Sequence, residues 1–414
     1  MIKKIFLIIC IVFTISVISY ADEIELENFP EEEIWKEIEN ANINNKIEEP
    51  KLNSRAAIVF DRTTKNVIYG KNIHEKRAMA STTKIMTAIL VLENGNLSEK
   101  IEVCKKAANI GGSRLGLKEK DKITLKDLLY GLMLRSGNDA ALQIAIHIGG
   151  SIEGFAEMMN KKAKELGLKN TNFVTPHGLD DTNHYTTAYE LAILTDYALG
   201  IEEFAKVVNT KTTTININGN PVTINNTNEL LGYLNGVDGV KTGFTNNAGR
   251  CLVTSTTRNN WQIISVVLGA DTKKYRTKDS IELIEYTYKN YKQVNIKEII
   301  VTKFEEWKKE NEKNIKIIKG IDKNIKTTIM YNYDFVMYPI KSGNLNNIKI
   351  QIENNNELQA PVQMNNKIGE IHVIVENKEV MNIPIVSVEE IEKKSILDYI
   401  CEIMQNYFKI LLQY

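Results

Sequence analysis

Ser81 and Lys84 stand three residues apart at the head of an apolar run, Ser81 to Glu93, that reads as a helix. Residues three apart on a helix share a face, so hydroxyl and amine lie within reach of each other. The hydroxyl becomes a nucleophile only if the lysine takes its proton. An ordinary lysine, with a pKa of about 10.4, is a poor base at neutral pH, and lowering it to near 7 takes roughly 4 kcal/mol. Burial and a nearby second cation supply such a shift. The pair therefore constrains the whole fold: another lysine has to be brought onto this serine from elsewhere in the chain.

Two later triads are the candidates. Ser136-Gly137-Asn138 falls between two helical patterns, Leu125 to Leu134 and Asp139 to His147, where a loop presents side chains. Lys241-Thr242-Gly243 ends a strand, Gly236 to Thr242, that follows a turn at Asn235-Gly236-Val237-Asp238-Gly239. Any one triad is common, but the Ser81–Lys84 spacing occurs once in the chain. A decoy, Lys341-Ser342-Gly343-Asn344, lies near Pro339 in a polar stretch and reads as a turn between strands.

The surroundings suggest how the segments are joined. Ala56 to Asp61 and Val67 to Tyr69 read as strands around a polar turn, and Leu191 to Leu199 as a helix. Strands at Cys251–Thr256 and Gln262–Leu268 and a helix from Ser280 to Tyr291 follow. This is an α/β layout over residues 51–291 whose sheet joins both ends of the segment. Residues 292–391 turn to short alternating strands, such as Ile348–Ile352 and Ile371–Val375, and read as a separate small β domain. Residues 392–414 end in an amphipathic helix: Asp398, Glu402, Gln405, Asn406, Lys409 and Gln413 share one face and apolar residues cover the rest. Attachment to a membrane surface is the favoured reading, with little help from anionic lipid because the helix is not strongly basic.

At the other end, Lys3 and Lys4 precede an apolar run, Ile5 to Ile18, and then Ser19-Tyr20-Ala21. Residues 1–21 read as a secretory signal peptide, the run being short for a membrane span. Residues 22–50 carry eleven acidic residues against Lys36 and Lys46, with one apolar cluster at Ile34, Trp35 and Ile38. They read as a solvated acidic linker with room for a short helix. Across the chain 52 basic residues balance 52 acidic ones, which argues against a nucleic-acid partner. Cys104, Cys251 and Cys401 are scattered, and none of the five histidines has HExxH spacing, so neither a disulfide framework nor a metal site is suggested.

At these residues the chain resembles the low-molecular-mass D-alanyl-D-alanine carboxypeptidases, the serine D,D-peptidases among penicillin-binding proteins. The order SxxK, SxN, KTG is the set these proteins share with class A β-lactamases. The matching stretches are Ala80–Thr87, Leu134–Ala140 and Gly239–Gly243, with His177-Gly178-Leu179 and His184–Ala188 also similar, over about residues 51–290. The resemblance implies a penicillin-binding/β-lactamase-like domain, an antiparallel sheet packed by helices, followed by the small β-rich domain and the terminal helix. It implies acyl transfer from the D-alanyl-D-alanine end of peptidoglycan stem peptides, with β-lactams as covalent inhibitors and no cofactor. In that scheme Lys84 deprotonates Ser81. The backbone N–H groups of Ser81 and Phe244 hold the oxyanion, and Ser136 relays a proton to the leaving amine. Asn138 orients Lys84 and the substrate amide, and Lys241 keeps the field positive. Thr242, just before Gly243, and Arg276 bind the terminal carboxylate. His177 and His184 have structural roles.

Rival readings share parts of this pattern. A class A β-lactamase also needs a deacylating glutamate, and Glu153, Glu157, Glu165 and Glu190 lie in the right interval, the first three as helix-surface residues. A D,D-endopeptidase uses the same site. A non-enzymatic wall-binding protein has no use for three intact triads. Gly111-Gly112-Ser113-Arg114-Leu115 lacks the last glycine of a G-x-S-x-G hydrolase.

Overall fold

The computed structural model describes residues 31–43 and 48–412. The expected signal peptide, residues 1–21, and residues 22–30 and 44–47 of the acidic stretch lie outside the described residues. The chain divides into two compact units, Met1–Lys289 and Asn290–Tyr414.

The first unit runs α1 (Glu31–Ile43), β1 (Ala56–Asp61), β2 (Val67–Lys71), a 3-10 turn (Ala80–Thr83), α2 (Lys84–Asn94), β3 (Lys100–Glu102), α3 (Lys105–Ala108) and β4 (Lys122–Thr124). It continues with α4 (Leu125–Leu134), α5 (Asn138–Gly149), α6 (Ile152–Glu165), α7 (Ala188–Leu199) and α8 (Glu202–Val208). Then come β5 (Thr212–Ile217), β6 (Asn220–Asn225), β7 (Val237–Thr245), β8 (Gly249–Arg258), β9 (Trp261–Ala270) and α9 (Lys273–Asn290). Five strands form one sheet in the order β2-β1-β9-β8-β7, antiparallel at every pairing. The N-terminal strands thus pair with the C-terminal ones, and β7, carrying Lys241-Thr242-Gly243, is an edge.

Burial explains the layering. Every residue of β1 is buried, and so are Lys84 to Val91 of α2. A helix buried all round belongs in the middle of a core, and Ile85, Met86 and Ile89 share one cluster with Phe60, Phe155 and Phe204. Each such side chain stabilises the fold by about 1.5–3 kcal/mol. Local caps set the flanking helices: Thr124 accepts the Asp127 N–H at 3.0 Å, and Thr187 accepts that of Glu190 at 3.1 Å.

Two features depart from expectation. Within the acidic stretch, Ile34 and Ile38 of α1 are buried on Leu230, Leu231, Leu234 and Ile281, so this part is a docked helix rather than a solvated linker. Two isoleucines four apart on one face provide the anchor. The closing helix α9 starts at Lys273, seven residues before Ser280, with the Thr272 hydroxyl accepting the Tyr275 N–H at 3.1 Å. The polar run from Lys273 to Asp279 hid this start, which puts Arg276 in the first turn.

The second unit comprises β10 (Tyr291–Asn295), α10 (Ile296–Asn311), β11 (Lys316–Ile318), β12 (Thr327–Ile329), β13 (Met337–Lys341), β14 (Ile348–Asn354), β15 (Glu357–Gln359), β16 (Lys367–Val375), β17 (Lys378–Ser387) and α11 (Ile396–Leu411). Its main sheet has the order β12-β17-β16-β14. Reading only strands here missed α10, whose Ile296, Ile300 and Phe304 recur at helical spacing and are buried. The decoy is a turn leaving β13, with Ser342 and Gly343 at φ 56° and 60°. A capping box at Ser395 and Asp398 starts α11, and its Ile396 and Ile403 are 80% and 68% exposed. No helix among the described residues is long and apolar enough to cross a membrane.

Candidate active site

Ser81 sits in the 3-10 turn, and Lys84 is the first residue of α2. In 3-10 geometry residues i and i+3 eclipse each other, a closer alignment than the α-helical face inferred from spacing. Lys84 Nζ accordingly donates to Ser81 Oγ at 2.8 Å. Ala80, immediately before the serine, has φ 48°, in the left-handed region that non-glycine residues seldom occupy. Met79 O holds the bend by accepting from Thr82 N at 3.2 Å and Thr82 Oγ1 at 2.6 Å.

Lys84 is fully buried and also donates to Asn138 Oδ1 at 2.8 Å and to the His177 carbonyl at 2.9 Å. These acceptors engage the N–H donors of the ammonium. Losing one proton leaves a lone pair that can take the proton of Ser81. Asn138, first in α5, is fixed at its other end by donating Nδ2–H to Gly111 O at 2.8 Å. Its neighbour Asp139 is buried and accepts the N–H groups of Leu115, Gly116 and Leu117 at 2.8, 2.8 and 3.0 Å, which binds the 111–117 loop to the site. Ser136 lies two residues before Asn138 at the bend between α4 and α5. It is buried and has φ 60°.

A third wall comes from residues 174–184. Gly178 has φ 88°, and a Cβ there would stand 1.9 Å from Ala80 O, so only glycine lets this loop meet the turn that carries Ser81. His184 Nδ1 accepts from Val174 N at 3.0 Å, so its Nε2 carries the proton and donates to Thr83 Oγ1 at 2.8 Å. Burial lowers the His184 pKa to about 4; burial, with the Lys84 charge second, lowers that of His177 to about 3. Both imidazoles are therefore neutral clamps near pH 7.

The fourth wall is β7. A Cβ on Gly243 would lie 3.1 Å from the Ser81 nitrogen and 3.2 Å from that of Thr82, so the glycine brings the strand against the Ser81 turn. Phe244 follows, its ring covered by the Arg250 guanidinium at 3.8 Å. Lys241 is buried and donates to Thr242 O at 2.9 Å. Burial first, and the Arg276 charge second, lower its pKa to about 7. Lys241, expected as the cation that depresses Lys84, is itself a depressed lysine, with Arg276 as the neighbouring cation. Thr242 Oγ1 shares a hydrogen bond with Thr227 Oγ1 at 2.8 Å. Arg276 is buried and ion-paired with Glu229, which also accepts from Thr277 Oγ1 at 2.5 Å. Sequence reading missed Glu229, Asp139 and Thr227. Asp139 lay beside a motif, but Glu229 and Thr227 carried no pattern at all.

A serine on a buried lysine, an amide bonded to that lysine and an edge strand against the serine define an active-serine acyl-transfer enzyme. Residues 43–272, more than half of the chain, match the family model described as D-alanyl-D-alanine carboxypeptidase, and the chain belongs to that family of serine peptidases. Residues 307–393 match the penicillin-binding protein 5 C-terminal domain. The chain is 32% identical over 362 residues to D-alanyl-D-alanine carboxypeptidase DacF of Bacillus subtilis (strain 168), covering 86% of this chain and 90% of that one. Among solved structures it is similar to D-alanyl-D-alanine carboxypeptidase DacD of Francisella tularensis, with TM-score 0.69 and 26% identity over 84% of this chain and 96% of that one. The structure of penicillin binding protein 5 of Haemophilus influenzae gives TM-score 0.68 and 26% identity over 84% and 100%.

Proposed function

We propose that the chain removes the terminal D-alanine of peptidoglycan stem peptides through an acyl-enzyme on Ser81, and that penicillins acylate the same serine. The observation that carries this reading is Lys84 Nζ at 2.8 Å from Ser81 Oγ, held in place by Asn138 and the His177 carbonyl. Neutral Lys84 takes the hydroxyl proton as Ser81 Oγ attacks the carbonyl between the two D-alanines. The Ser81 and Phe244 N–H groups receive the oxyanion. The proton passes through Ser136 to the leaving amine, and D-alanine departs. Water then attacks the ester, giving up a proton to Lys84, and Lys84 returns that proton to the departing Ser81 Oγ as the shortened peptide leaves. Thr242 and Arg276 receive the terminal carboxylate, and Asn138 the substrate amide.

A β-lactamase reading is disfavoured by Glu190. Its carboxylate accepts the Asn170 N–H at 2.8 and 2.9 Å and the Thr171 hydroxyl at 2.6 Å, which commits it to a loop rather than to a water. Digestion of purified peptidoglycan by the protein and by its Ser81→Ala variant tests the proposal. Free D-alanine from the wild type alone supports it; broken cross-links without free D-alanine indicate an endopeptidase, and no release refutes both.

The same reading has the protein exported and attached to the outer face of the cytoplasmic membrane by α11, whose apolar side chains are exposed. Co-sedimentation with phosphatidylcholine vesicles should disappear when residues 392–414 are deleted. Equal sedimentation with and without them would end that part of the proposal.

A further inference from the structure

The two groups assigned to the substrate's terminal carboxylate are both engaged by one short stretch of the chain. Thr227 Oγ1 is bonded to the Thr242 hydroxyl at 2.8 Å, and Glu229, two residues on, is paired with Arg276. The stretch is fixed at both ends. Thr227 N donates to Leu134 O at 3.0 Å, and Asn228 Nδ2 donates to Gly239 O at 2.9 Å. Leu230, Leu231 and Leu234 are buried beneath Ile34 and Ile38 of α1, a helix that lies almost wholly outside residues 43–272 matched to the family.

The ion pair itself is half-made. Glu229 Oε2 and Arg276 Nε are both buried, and neither has a hydrogen-bond partner among the described residues. A guanidinium and a carboxylate that suited each other fully would join by two parallel bonds. Burial raises the Glu229 pKa, but Arg276, Lys273 and the Thr277 hydroxyl outweigh it and hold the carboxyl below its usual range. Glu229 is therefore anionic, and Arg276 meets a carboxylate before any substrate arrives.

We propose that Glu229 is an internal stand-in for the substrate's carboxylate, a specificity-determining competitor that a D-alanyl carboxylate must displace from Arg276. This rests on the assignment of Thr242 and Arg276 as carboxylate ligands. The incoming carboxylate takes Nε and the vacated Nη of Arg276 as a fork, and the Thr242 hydroxyl turns to it from Thr227. Glu229 keeps the Thr277 hydroxyl. The buried cation is thus paired both before and after the exchange, and the unpaired form between them is costly and scarce. The consequence is selectivity: only a ligand with its own carboxylate compensates Arg276 when Glu229 moves. Apparent affinity scales with the fraction of molecules whose Arg276 is free, so a pair closed in nine molecules of ten weakens carboxylate binding by about tenfold.

The test compares the wild type with Glu229→Gln, which keeps the shape and the Thr277 contact but not the charge. Second-order acylation rates are measured for benzylpenicillin and for its methyl ester, and KM and kcat for a peptide ending in D-alanyl-D-alanine. The expected result is acylation by the free acid about tenfold faster, with the ester changed less than about twofold, and KM lowered about tenfold with kcat nearly constant. Equal changes for acid and ester, or slower acylation by the acid, overturn the proposal. Glu229→Ala is the second variant if the glutamine form does not fold, and the same outcomes apply. If the wild type is acylated by neither compound and releases no D-alanine, the acyl-enzyme reading itself fails, a result distinct from these.

Discussion

Replacing Lys241 by methionine separates the cost of this lysine from its use. Lys241 is buried in unit 1 with a pKa lowered from 10.5 to about 7, by burial first and by Arg276 second. In the unfolded chain it returns to its ordinary value. The native state therefore binds fewer protons than the unfolded one between pH 7 and 10.5, and the lysine's contribution to stability rises with pH across that window. Below pH 7 the destabilisation is fully present, at about 5 kcal/mol for a shift of this size. It is about 4 kcal/mol at pH 7, about 2 kcal/mol at pH 9, and close to nothing by pH 10.5. Methionine fills similar space without a charge, so its pH-independent packing terms do not affect the slope. Urea unfolding of both proteins at pH 7, 8 and 9, followed by near-ultraviolet circular dichroism, measures the difference. The variant should be the more stable at pH 7, with its advantage falling by about 2 kcal/mol by pH 9, while Ser81 acylation by a fluorescent penicillin is lost. An advantage that stays flat from pH 7 to 9, or a variant less stable at pH 7, would refute the electrostatic account of Lys241.

Other positions give equally direct tests. Gly178→Ala sets a Cβ against the Ala80 carbonyl and forces φ 88° on a residue that resists it, so acylation of Ser81 should fall more than about 100-fold, read by fluorescent penicillin labelling. Normal labelling would mean that this loop does not position the turn. Asn138→Asp places a negative charge on Lys84 and holds it protonated, so acylation at pH 7 should drop by about 10²–10⁴ and recover partly as pH rises. A rate independent of pH in that variant would argue against Lys84 as the base. Ile34→Ala empties a buried position in α1 and should lower stability by about 2 kcal/mol in urea unfolding; an unchanged midpoint would mean that the helix does not dock in solution.

Much of the fold was legible because it rested on local pattern. The β1 residues form one apolar run bounded by polar turns, and α4 begins after a threonine cap, so both could be bounded closely from sequence. The start of α9 could not, because Lys273 to Asp279 show no apolar periodicity and its cap at Thr272 is a single hydroxyl. Nor could the docking of α1 be read, because Ile34 and Ile38 look the same whether they meet water or Leu230.

By itself the sequence determined the reagents: a serine with a lysine three residues on, a Ser-Gly-Asn, and a Lys-Thr-Gly at a strand end. Their types and local spacing follow from residues near in sequence, and chemistry then required them to meet. Only the tertiary structure decided how each charge is set. Lys241 is depressed because burial removes it from water and Arg276 is folded beside it, and Arg276 is held by Glu229, a residue that belongs to no motif. Coulomb energies and desolvation depend on distance through space and on excluded water, and neither quantity is written along the chain.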